Sequence, residues 1–310
     1  MKTLIFTHRS DIDGMGGAVL AKLAFKDVDY VLSEAYNLHE HILNYINSKK
    51  IYEYDQIFVT DLSLEEPVLK QISLDEKLKD KFLLFDHHES AKEAGLDKYS
   101  FATIEIESDK GLCSGTSLFY EYLLSKGFFK DNSAIKEFSE LTRKYDTWEW
   151  QTKYEGEMPR ELTLLFDVLG PDGYIELMTK KLSAPTTSHF EFDTVEKMLI
   201  SNKKNQVESK LNSYYEKAYY KNIRGKKAVI VFIDYEYRND VATYFSKKNV
   251  DADFIMLIAL DHQTISYRSI RNNTNVRLIA ESFGGKGHDY AAGSQLSKDT
   301  LRQIIEIITK

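Results

Sequence analysis

Short apolar runs alternate with helical patterns along the first part of the chain. A short apolar run between polar residues is typical of a buried strand, and apolar residues three and four positions apart indicate a helix. Strands that alternate with helices predict a parallel sheet covered on both faces. The predicted strands are Thr3–Thr7, Tyr30–Ser33, Gln56–Thr60, Lys81–Phe85 and Phe101–Ile106. The predicted helices between them are Gly16–Phe25, Leu38–Ser48 and Glu65–Ser73.

Helical spacing dominates the middle of the chain, and a second alternation follows it. The middle helices are predicted at Ser117–Leu124, Ala134–Tyr145, Glu161–Leu169 and Gly173–Lys181, with a long one over Phe190–Tyr220. Later strands are predicted at Ala228–Ile233, Phe254–Leu260 and Thr264–Ile270, and later helices at Val241–Lys247, Val276–Ser282 and Thr300–Ile308. We therefore predict an α/β fold with three consecutive parts. They are a parallel-sheet domain (1–188), a helical linker (189–222) and a smaller α/β domain (223–310). A cleft is predicted between the two domains.

Composition and charge narrow the class of protein. A chain of 310 residues with 43% hydrophobic and 29% charged residues fits a soluble protein of two domains. A net charge of −7 argues against a protein that coats long nucleic acid. Cys113 is the single cysteine, which excludes an intrachain disulfide framework and fits a reducing compartment. The early polar residues argue against a signal peptide, and no apolar run approaches the roughly 20 residues of a spanning helix. We predict a cytoplasmic protein with no membrane partner; homodimer formation stays open.

Ionisable residues follow three of the predicted strands. Because the carboxyl ends of parallel strands meet at one edge of a sheet, their side chains are expected to lie close together. Carboxylates mixed with imidazoles suit manganese, iron or zinc better than calcium. Asp11 or Asp13 could instead cap the next helix, and Ser63 is predicted to cap the helix that starts near Glu65. The residues at the three strand ends are His8, Asp11, Asp13, Asp61, Asp86, His87 and His88.

Asp146 closes the predicted helix Ala134–Tyr145, where the helix macrodipole disfavours an anion. A nearby cation would remove that conflict. With Asp146 added, the anionic ligands are too many for one ion and suit two. The neighbouring Trp148 and Trp150 are predicted to pack in the core.

A glycine-rich segment from Gly284 to His288 is the distinctive feature of the last part of the chain. Three glycines in four positions cannot stabilise a helix, so the segment is predicted to form a tight loop. Such a loop can offer backbone N–H groups to an anion, although a hairpin turn would explain it equally simply. Arg268 on the preceding strand could clamp a phosphate, which favours anion recognition. Ser114, beside Cys113, is predicted to cap the helix that follows it.

These motifs, in this order, resemble the DHH-superfamily phosphoesterases that carry the DHH-associated C-terminal domain. His8–Gly14 resembles the first motif, although the gap between His8 and Asp11 is shorter than in the commonest His-x-x-x-Asp-x-Asp form. The other matches are Asp61 for the second motif, Asp86-His87-His88 for the third, Asp146 for the fourth, and Gly284-Gly285-Lys286-Gly287-His288 with Arg268 for the C-terminal domain. The size and the run from Tyr145 to Trp150 resemble the bacterial nanoRNases.

The resemblance implies two manganese ions and a division of tasks among the residues. Asp61 would bridge the ions, His88 would face the scissile phosphate, and Asp86 would orient a histidine. His8 and Asp11 would complete one ion's ligands, and Asp13, His87 and Asp146 the other's. Arg268, Gly284, Gly285, Lys286, Gly287 and His288 would bind the terminal phosphate or nucleotide.

The implied activity is hydrolysis of very short oligoribonucleotides or linear dinucleotides to 5′-mononucleotides by in-line attack of hydroxide. Two alternatives remain open at this point. One is a phosphatase acting on 3′-phosphoadenosine 5′-phosphate. The other is a non-catalytic nucleotide-binding protein on the same scaffold.

Overall fold

Five parallel strands form the sheet of the first of two units into which the chain divides, Met1–Lys203 and Lys204–Lys310. The computed structural model describes residues 1–129, 132–153, 156–184, 188–271 and 274–308. The sheet has the order β2-β1-β3-β4-β5, and every neighbouring pair is parallel. The strands are β1 (Lys2–His8), β2 (Asp27–Ser33), β3 (Gln56–Thr60), β4 (Phe82–Asp86) and β5 (Ala102–Ile104).

Helices cover both faces of this sheet, as the alternating sequence pattern predicts. Leu4 and Phe6 pack into one buried cluster with residues of the helices on one face. On the other face Phe58 and Phe85 pack against Phe119, with ring centroids 4.9 and 5.4 Å apart. Both faces are therefore apolar, which is typical of a parallel sheet. The helices of this unit are α1 (Ile12–Ala24), α2 (Leu38–Asn47), α3 (Glu66–Leu74), α4 (Glu89–Glu93), α5 (Gly115–Ser125), α6 (Ser133–Asp146), α7 (Glu149–Thr152) and α8 (Met158–Leu182).

The first unit has two further features outside its main sheet. A small hairpin, β6 (Glu107–Ser108) and β7 (Gly111–Leu112), precedes α5. Helix α8 is broken at Gly170, which has a φ of 66° and precedes Pro171, so that the two separately predicted helices are joined across a kink. Helix α9 (Thr194–Glu216) then contains the boundary between the two units.

The second unit is built on a mixed six-stranded sheet with the order β12-β13-β11-β10-β9-β8. Only β9 and β10 pair in parallel among its described strands. Tyr267 and Phe254 lie fully buried at its core. The strands are β8 (Tyr219–Ile223), β9 (Lys226–Phe232), β10 (Phe254–Ala259), β11 (Thr264–Ser269), β12 (Lys286–Gly287) and β13 (Ala291–Gln295). The helices are α10 (Arg238–Lys247), α11 (Val276–Glu281) and α12 (Lys298–Ile308).

The predicted fold class is confirmed, with a parallel-sheet unit, a helical region and a smaller sheet-containing unit. One element prediction is wrong: the helix over Phe190–Tyr220 runs too far, because Tyr219 and Tyr220 belong to β8 and pair with β9. The predicted strand Phe101–Ile106 is also shorter, ending at Ile104. The domain boundaries at 188 and 222 stay a prediction. Among the described residues, no helix is both long and apolar enough to cross a membrane.

Candidate metal centre

Three neighbouring strands bring the predicted ligands of the first unit to one edge of the sheet. His8 is the last residue of β1, Asp61 directly follows β3, and Asp86 is the last residue of β4. In the strand order β2-β1-β3-β4-β5 the chain reverses its direction of winding between β1 and β3. Such a switch point leaves a crevice outside the carboxyl ends of the strands, where open α/β sheets bind ligands.

The ligands form two groups that meet at Asp61. His8 Nδ1 lies 2.6 Å from Asp11 Oδ2 and 3.5 Å from Asp61 Oδ2. On the other side, His87 Nε2 lies 3.3 Å from Asp61 Oδ1, 3.4 Å from Asp146 Oδ2 and 3.8 Å from Asp13 Oδ2. The ligand atoms of His8, Asp11 and Asp61 lie within 4.8 Å of one another, as do those of Asp13, His87 and Asp146. A third set at this distance is Asp61, His87 and His88. The two carboxylate oxygens of Asp61 thus face different groups, which is the arrangement that a bridging ligand requires.

The backbone holds Asp61 in an unusual conformation. Its φ of 58° is left-handed, which aspartate tolerates better than most residues, and its N–H donates to the carbonyl of Phe85 at 3.0 Å. Gly115 at the start of α5 packs directly against it, since a Cβ there would lie 2.7 Å from the Cβ of Asp61. A side chain at position 115 would therefore displace the residue on which both groups depend.

The two aspartates of the first motif have different local roles. Asp11 caps α1, accepting a hydrogen bond from the N–H of Gly14 at 3.0 Å, so the capping alternative holds for this residue. Asp13 does not cap its own helix. Its buried carboxylate accepts from the N–H groups of Gly115 and Thr116, at 2.6 and 3.0 Å, at the start of α5. Each carboxylate also lies beside a histidine of the site, so capping and a place in the metal centre do not exclude one another.

Asp86 and His88 form a pair beside the two groups. Asp86 is fully buried and accepts from His88 Nδ1 at 2.6 Å and from the N–H of His87 at 2.8 Å. The predicted cap at Ser63 is wrong, because the Ser63 hydroxyl donates to Asp86 and no side chain caps α3. Asp86 therefore orients His88, whose side chain is 52% exposed.

Glu34 belongs to this edge of the sheet and is missing from the sequence prediction. Its Oε2 lies 3.2 Å from His8 Nε2, and its Oε1 accepts from the Ser10 hydroxyl at 2.5 Å. The signal was available, because Glu34 directly follows the predicted strand Tyr30–Ser33 as Asp61 follows Gln56–Thr60. The imidazole of His8 thus has a carboxylate at each ring nitrogen.

The electrostatics of the site favour bound cations. Burial lowers the pKa of His8 and of His87, but the neighbouring carboxylates outweigh burial and raise these pKa values to about 11 and about 10. Burial and the charges of Asp11 and Asp13 raise the pKa of Asp61 to about 7. Burial and the charge of Asp13 raise the pKa of Asp146 well above its usual range. Protons are thus held where negative charge is crowded.

A second observation, apart from the pKa values, shows that the ligands fit divalent metal ions. Asp61 Oδ2 is buried and has no hydrogen-bond partner within the described part of the protein. A buried carboxylate oxygen without a hydrogen bond is costly, and a metal ion beside His8 and Asp11 would satisfy it. Carboxylates with imidazoles are also the ligands expected for such an ion.

In the second unit, the glycine-rich segment forms a hairpin, which was the simpler of the two sequence interpretations. Lys286 and Gly287 form the edge strand β12 and pair with β13. A Cβ at Gly285 would lie 2.2 Å from the carbonyl oxygen of Gly293, so close packing explains this glycine. Anion recognition by Gly284, Gly285, Lys286, Gly287 and His288 stays a prediction.

The same segment lines a cavity of about 430 Å³ together with Ser266 and Tyr235. Arg268 shares the strand β11 with Ser266 and is half-buried; its Nη1 donates to the carbonyl of Tyr267 at 3.1 Å. Burial and the charge of Arg238 lower the pKa of Arg268. Arg238 was not predicted; its guanidinium lies 4.2 Å from the ring centre of Tyr235. No sequence motif marks it.

Comparisons with known proteins agree with this architecture. A family model described as the DHH family, N-terminal domain, matches residues 2–145. The oligoribonuclease NrnB of Bacillus subtilis (strain 168) is 30% identical over 304 residues, which cover 97% of this chain and 74% of that protein.

Two solved structures share the fold over almost the whole chain. The pGpG-specific phosphodiesterase PggH from Vibrio cholerae has a TM-score of 0.56 and 15% identity, covering 99% of this chain and 97% of its own. The exonuclease RecJ bound to manganese has a TM-score of 0.55 and 13% identity, covering 98% of this chain and 88% of its own. At these identities the structures show a common fold alone.

Fold, donor set and sequence similarity together define a metal-dependent phosphoesterase. The chain belongs to the DHH family. The family resemblance and the enzymatic class predicted from the sequence are thereby confirmed.

Proposed function

We propose that the protein hydrolyses very short oligoribonucleotides and linear dinucleotides to 5′-mononucleotides and that two manganese ions support the reaction. The observation that carries this proposal is the meeting of two ligand groups at the buried carboxylate of Asp61. One shared carboxylate between two groups is the arrangement that two-metal phosphodiester hydrolysis uses.

Each ion would be held by its own group and by Asp61. When bound, such ions activate the attacking water and neutralise the charge that develops on the phosphate. Manganese suits ligands that mix carboxylate and imidazole, although those ligands also accept other divalent metals. The proposed ligands are His8, Asp11 and Asp61 for one ion. For the other they are Asp13, His87 and Asp146, together with Asp61, which lies 3.3 Å from His87 Nε2.

His88 is proposed to act on the phosphate rather than on a metal. Asp86 accepts from its Nδ1 at 2.6 Å, which fixes the ring and directs Nε2 away from Asp86. The hydrogen bond and charge of Asp86 raise the pKa of His88 despite burial. A cationic imidazole can stabilise phosphate charge or donate a proton to the leaving oxygen.

The second unit is proposed to bind the terminal phosphate or nucleotide. A half-buried guanidinium such as that of Arg268 suits two hydrogen bonds to phosphate. The described residues offer Arg268 no carboxylate partner, and Arg238 adds a second positive charge. Gly284, Gly285, Lys286, Gly287 and His288 are proposed to complete this site.

The preference for short RNA is supported by the similarity to an oligoribonuclease over 97% of this chain. A net charge of −7 argues in the same direction, because binding to long nucleic acid requires a basic surface. We also infer a cytoplasmic location from the single cysteine.

The test compares three substrates under one condition. Purified protein with manganese is incubated with a labelled RNA dinucleotide, a 20-residue RNA and 3′-phosphoadenosine 5′-phosphate. We expect the dinucleotide to be hydrolysed fastest, and hydrolysis to stop on chelation. Asp61→Ala should abolish activity while the variant stays folded by circular dichroism.

Each other outcome changes the assignment. Faster turnover of 3′-phosphoadenosine 5′-phosphate would replace the proposed activity by a phosphatase activity. Absence of turnover of all three substrates, despite bound metal, would contradict the proposed substrates altogether.

A further inference from the structure

Trp148 stands in an unusual position two residues after Asp146. The prediction that it packs in the core is wrong, because its side chain is 47% exposed. Its backbone is left-handed, with φ 60° and ψ 7°. A bulky residue rarely adopts that conformation, and an exposed tryptophan contributes little burial in return. Strain of this kind clusters at ligand-binding and active sites.

Hydrogen bonds and a buried ion pair hold this turn in place. The N–H of Thr147 donates to the carbonyl of Arg143 at 2.9 Å, and the N–H of Trp148 donates to that of Tyr145 at 3.2 Å. Directly after Trp148, the carboxylate of Glu149 accepts from Arg143 Nη2 at 2.9 Å. Arg143 and Glu149 are both buried. The strained backbone is thus anchored on both sides.

Among the described residues, the indole of Trp148 lies beside two further aromatic rings. Its ring centroid lies 6.5 Å from that of Trp150 with an interplanar angle of 25°. Trp150 in turn stacks on Tyr145, with the centroids 5.8 Å apart and the rings 16° from parallel. An aromatic ring that is already ordered in the unbound protein loses little conformational entropy on binding.

We propose that Trp148 stacks on a nucleobase of the substrate while the adjoining phosphate is bound at the metal centre. This inference rests on the proposed function, and it adds a base-binding subsite within the first unit. Consecutive Cα atoms are 3.8 Å apart, so the Cα of Trp148 lies at most about 7.6 Å from that of Asp146. Trp148 is thus near enough to the proposed ligand Asp146 for one nucleotide to contact both. Stacking is tolerant of base identity, because every base has a π face.

Fluorescence can detect this contact without any turnover. The chain has two tryptophans, so Trp150→Phe leaves Trp148 as the single tryptophan and Trp148→Phe leaves Trp150. With excitation at 295 nm and magnesium present, each variant is titrated with adenosine 5′-monophosphate and, as a base-free probe, ribose 5-phosphate. We expect adenosine 5′-monophosphate, but not ribose 5-phosphate, to quench the fluorescence of Trp150→Phe in a saturable way. The fluorescence of Trp148→Phe should show no such quenching.

Kinetics separate a binding role from a structural one. Trp148→Gly removes the ring and suits the left-handed backbone, so its thermal midpoint should be unchanged or higher. Its KM for an RNA dinucleotide should nevertheless rise roughly tenfold. The KM for the same dinucleotide with both bases removed should stay unchanged. Tyr219→Ala, which removes an exposed aromatic ring from the second unit, is the control and should leave both KM values unaltered.

The outcomes distinguish this inference from the function on which it rests. Quenching of Trp150→Phe without hydrolysis of any RNA would support the subsite and contradict the proposed activity. Hydrolysis with an unchanged KM in Trp148→Gly, or equal quenching by ribose 5-phosphate, would overturn the subsite. A lowered thermal midpoint of Trp148→Gly with no change in KM would assign the ring a structural role instead.

Discussion

At the scale of single residues, the two adjacent histidines His87 and His88 face different partners although their rings lie 4.4 Å apart. The His87 imidazole lies among three carboxylates, whereas the His88 imidazole is bound to one fully buried carboxylate. Asp61, His87 and His88 nevertheless form a possible ligand group of their own. The roles of the two histidines therefore have to be separated by experiment.

Substitution of each histidine should give a different result. His87→Ala should lose both activity and the rise in thermal midpoint that manganese causes. His88→Ala should keep that rise but lower kcat by about 10²- to 10⁴-fold, the range of a positioned proton donor. Thermal unfolding with and without manganese, combined with kcat, makes the comparison. If His88→Ala also lost the manganese-dependent rise, His88 would be a metal ligand.

The pKa values of the site predict how metal binding depends on pH. In the absence of metal, His8 and His87 hold protons because their pKa values are about 11 and about 10, above the 6.5 of an unperturbed histidine. The stability that these protonated histidines add is complete below about pH 6.5 and is lost as pH rises through the folded-state pKa values. Metal ligation requires the same protons to leave.

The increase in thermal midpoint caused by manganese should therefore grow as pH rises. We expect a larger increase at pH 8.5 than at pH 6.5, measured against protein in chelator at each pH. Asp61→Asn provides the control, because manganese should increase its thermal midpoint only slightly at both pH values. An increase that does not vary with pH would contradict proton competition at these ligands.

At the scale of elements, one ion pair holds the turn between α6 and α7 and with it the position of Asp146. Arg143, which is 5% exposed, donates to Glu149, to Glu140 and to the carbonyl of Leu112 in the hairpin β6–β7. Burial raises the pKa of Glu149, but the hydrogen bonds from Lys153 and Arg143, together with their charges, outweigh burial and lower this pKa. Without Glu149, Arg143 would keep its hydrogen bonds to Glu140 but lose a charge-assisted hydrogen bond between two buried groups.

Glu149→Ala should lower the free energy of unfolding by about 2 kcal/mol, within the range for a hydrogen bond to a charged group. It should also weaken manganese binding, because Asp146 would lose its support. Urea denaturation and manganese titration provide the two measurements. Lys153→Ala is the matched control: it removes only the exposed ion pair with Glu149 and should cost less than about 1 kcal/mol. If Glu149→Ala and Lys153→Ala lowered the free energy of unfolding equally, the buried pair of Arg143 and Glu149 would not be what holds the turn.

The elements also show what could be predicted from the sequence. Strand ends followed by ionisable residues were recognisable, because parallel strands bring such residues together whatever the loops do. Strand β8 was not recognisable, because its first two residues, Tyr219 and Tyr220, continue the helical spacing predicted over Phe190–Tyr220. They belong to a strand through their pairing with β9. Its turn has Arg224 and Gly225 at φ 53° and 79°. A hairpin turn of this kind is usually marked by Asn-Gly, so the Arg-Gly pair gave little signal. The left-handed backbone of Trp148 likewise has no local sequence signal, and the residues that pair around it, Arg143 and Glu149, meet only in the folded chain.

At the scale of the whole molecule, the two units are proposed to have different tasks. The metal ligands all belong to the first unit, and Arg268 with the glycine-rich segment belongs to the second. If this division is correct, changes in the second unit should alter substrate binding without altering metal binding. An enzyme whose second unit served only stability would show no such separation.

Arg268→Ala tests the division directly. We expect KM for an RNA dinucleotide to rise about tenfold or more, as loss of a charge-assisted pair of hydrogen bonds to phosphate implies. Arg268→Lys should recover little of this loss, since an ammonium cannot reproduce the planar guanidinium. The manganese-induced rise in thermal midpoint should equal that of the unchanged protein. Arg271→Ala is the matched control, because Arg271 forms ion pairs with Asp251 and Asp253 at 2.8 and 3.5 Å. The KM of the Arg271→Ala variant for the dinucleotide should stay constant. An unchanged KM in Arg268→Ala, or a KM that rises equally in Arg271→Ala, would remove Arg268 from the phosphate site and with it the proposed division between the units.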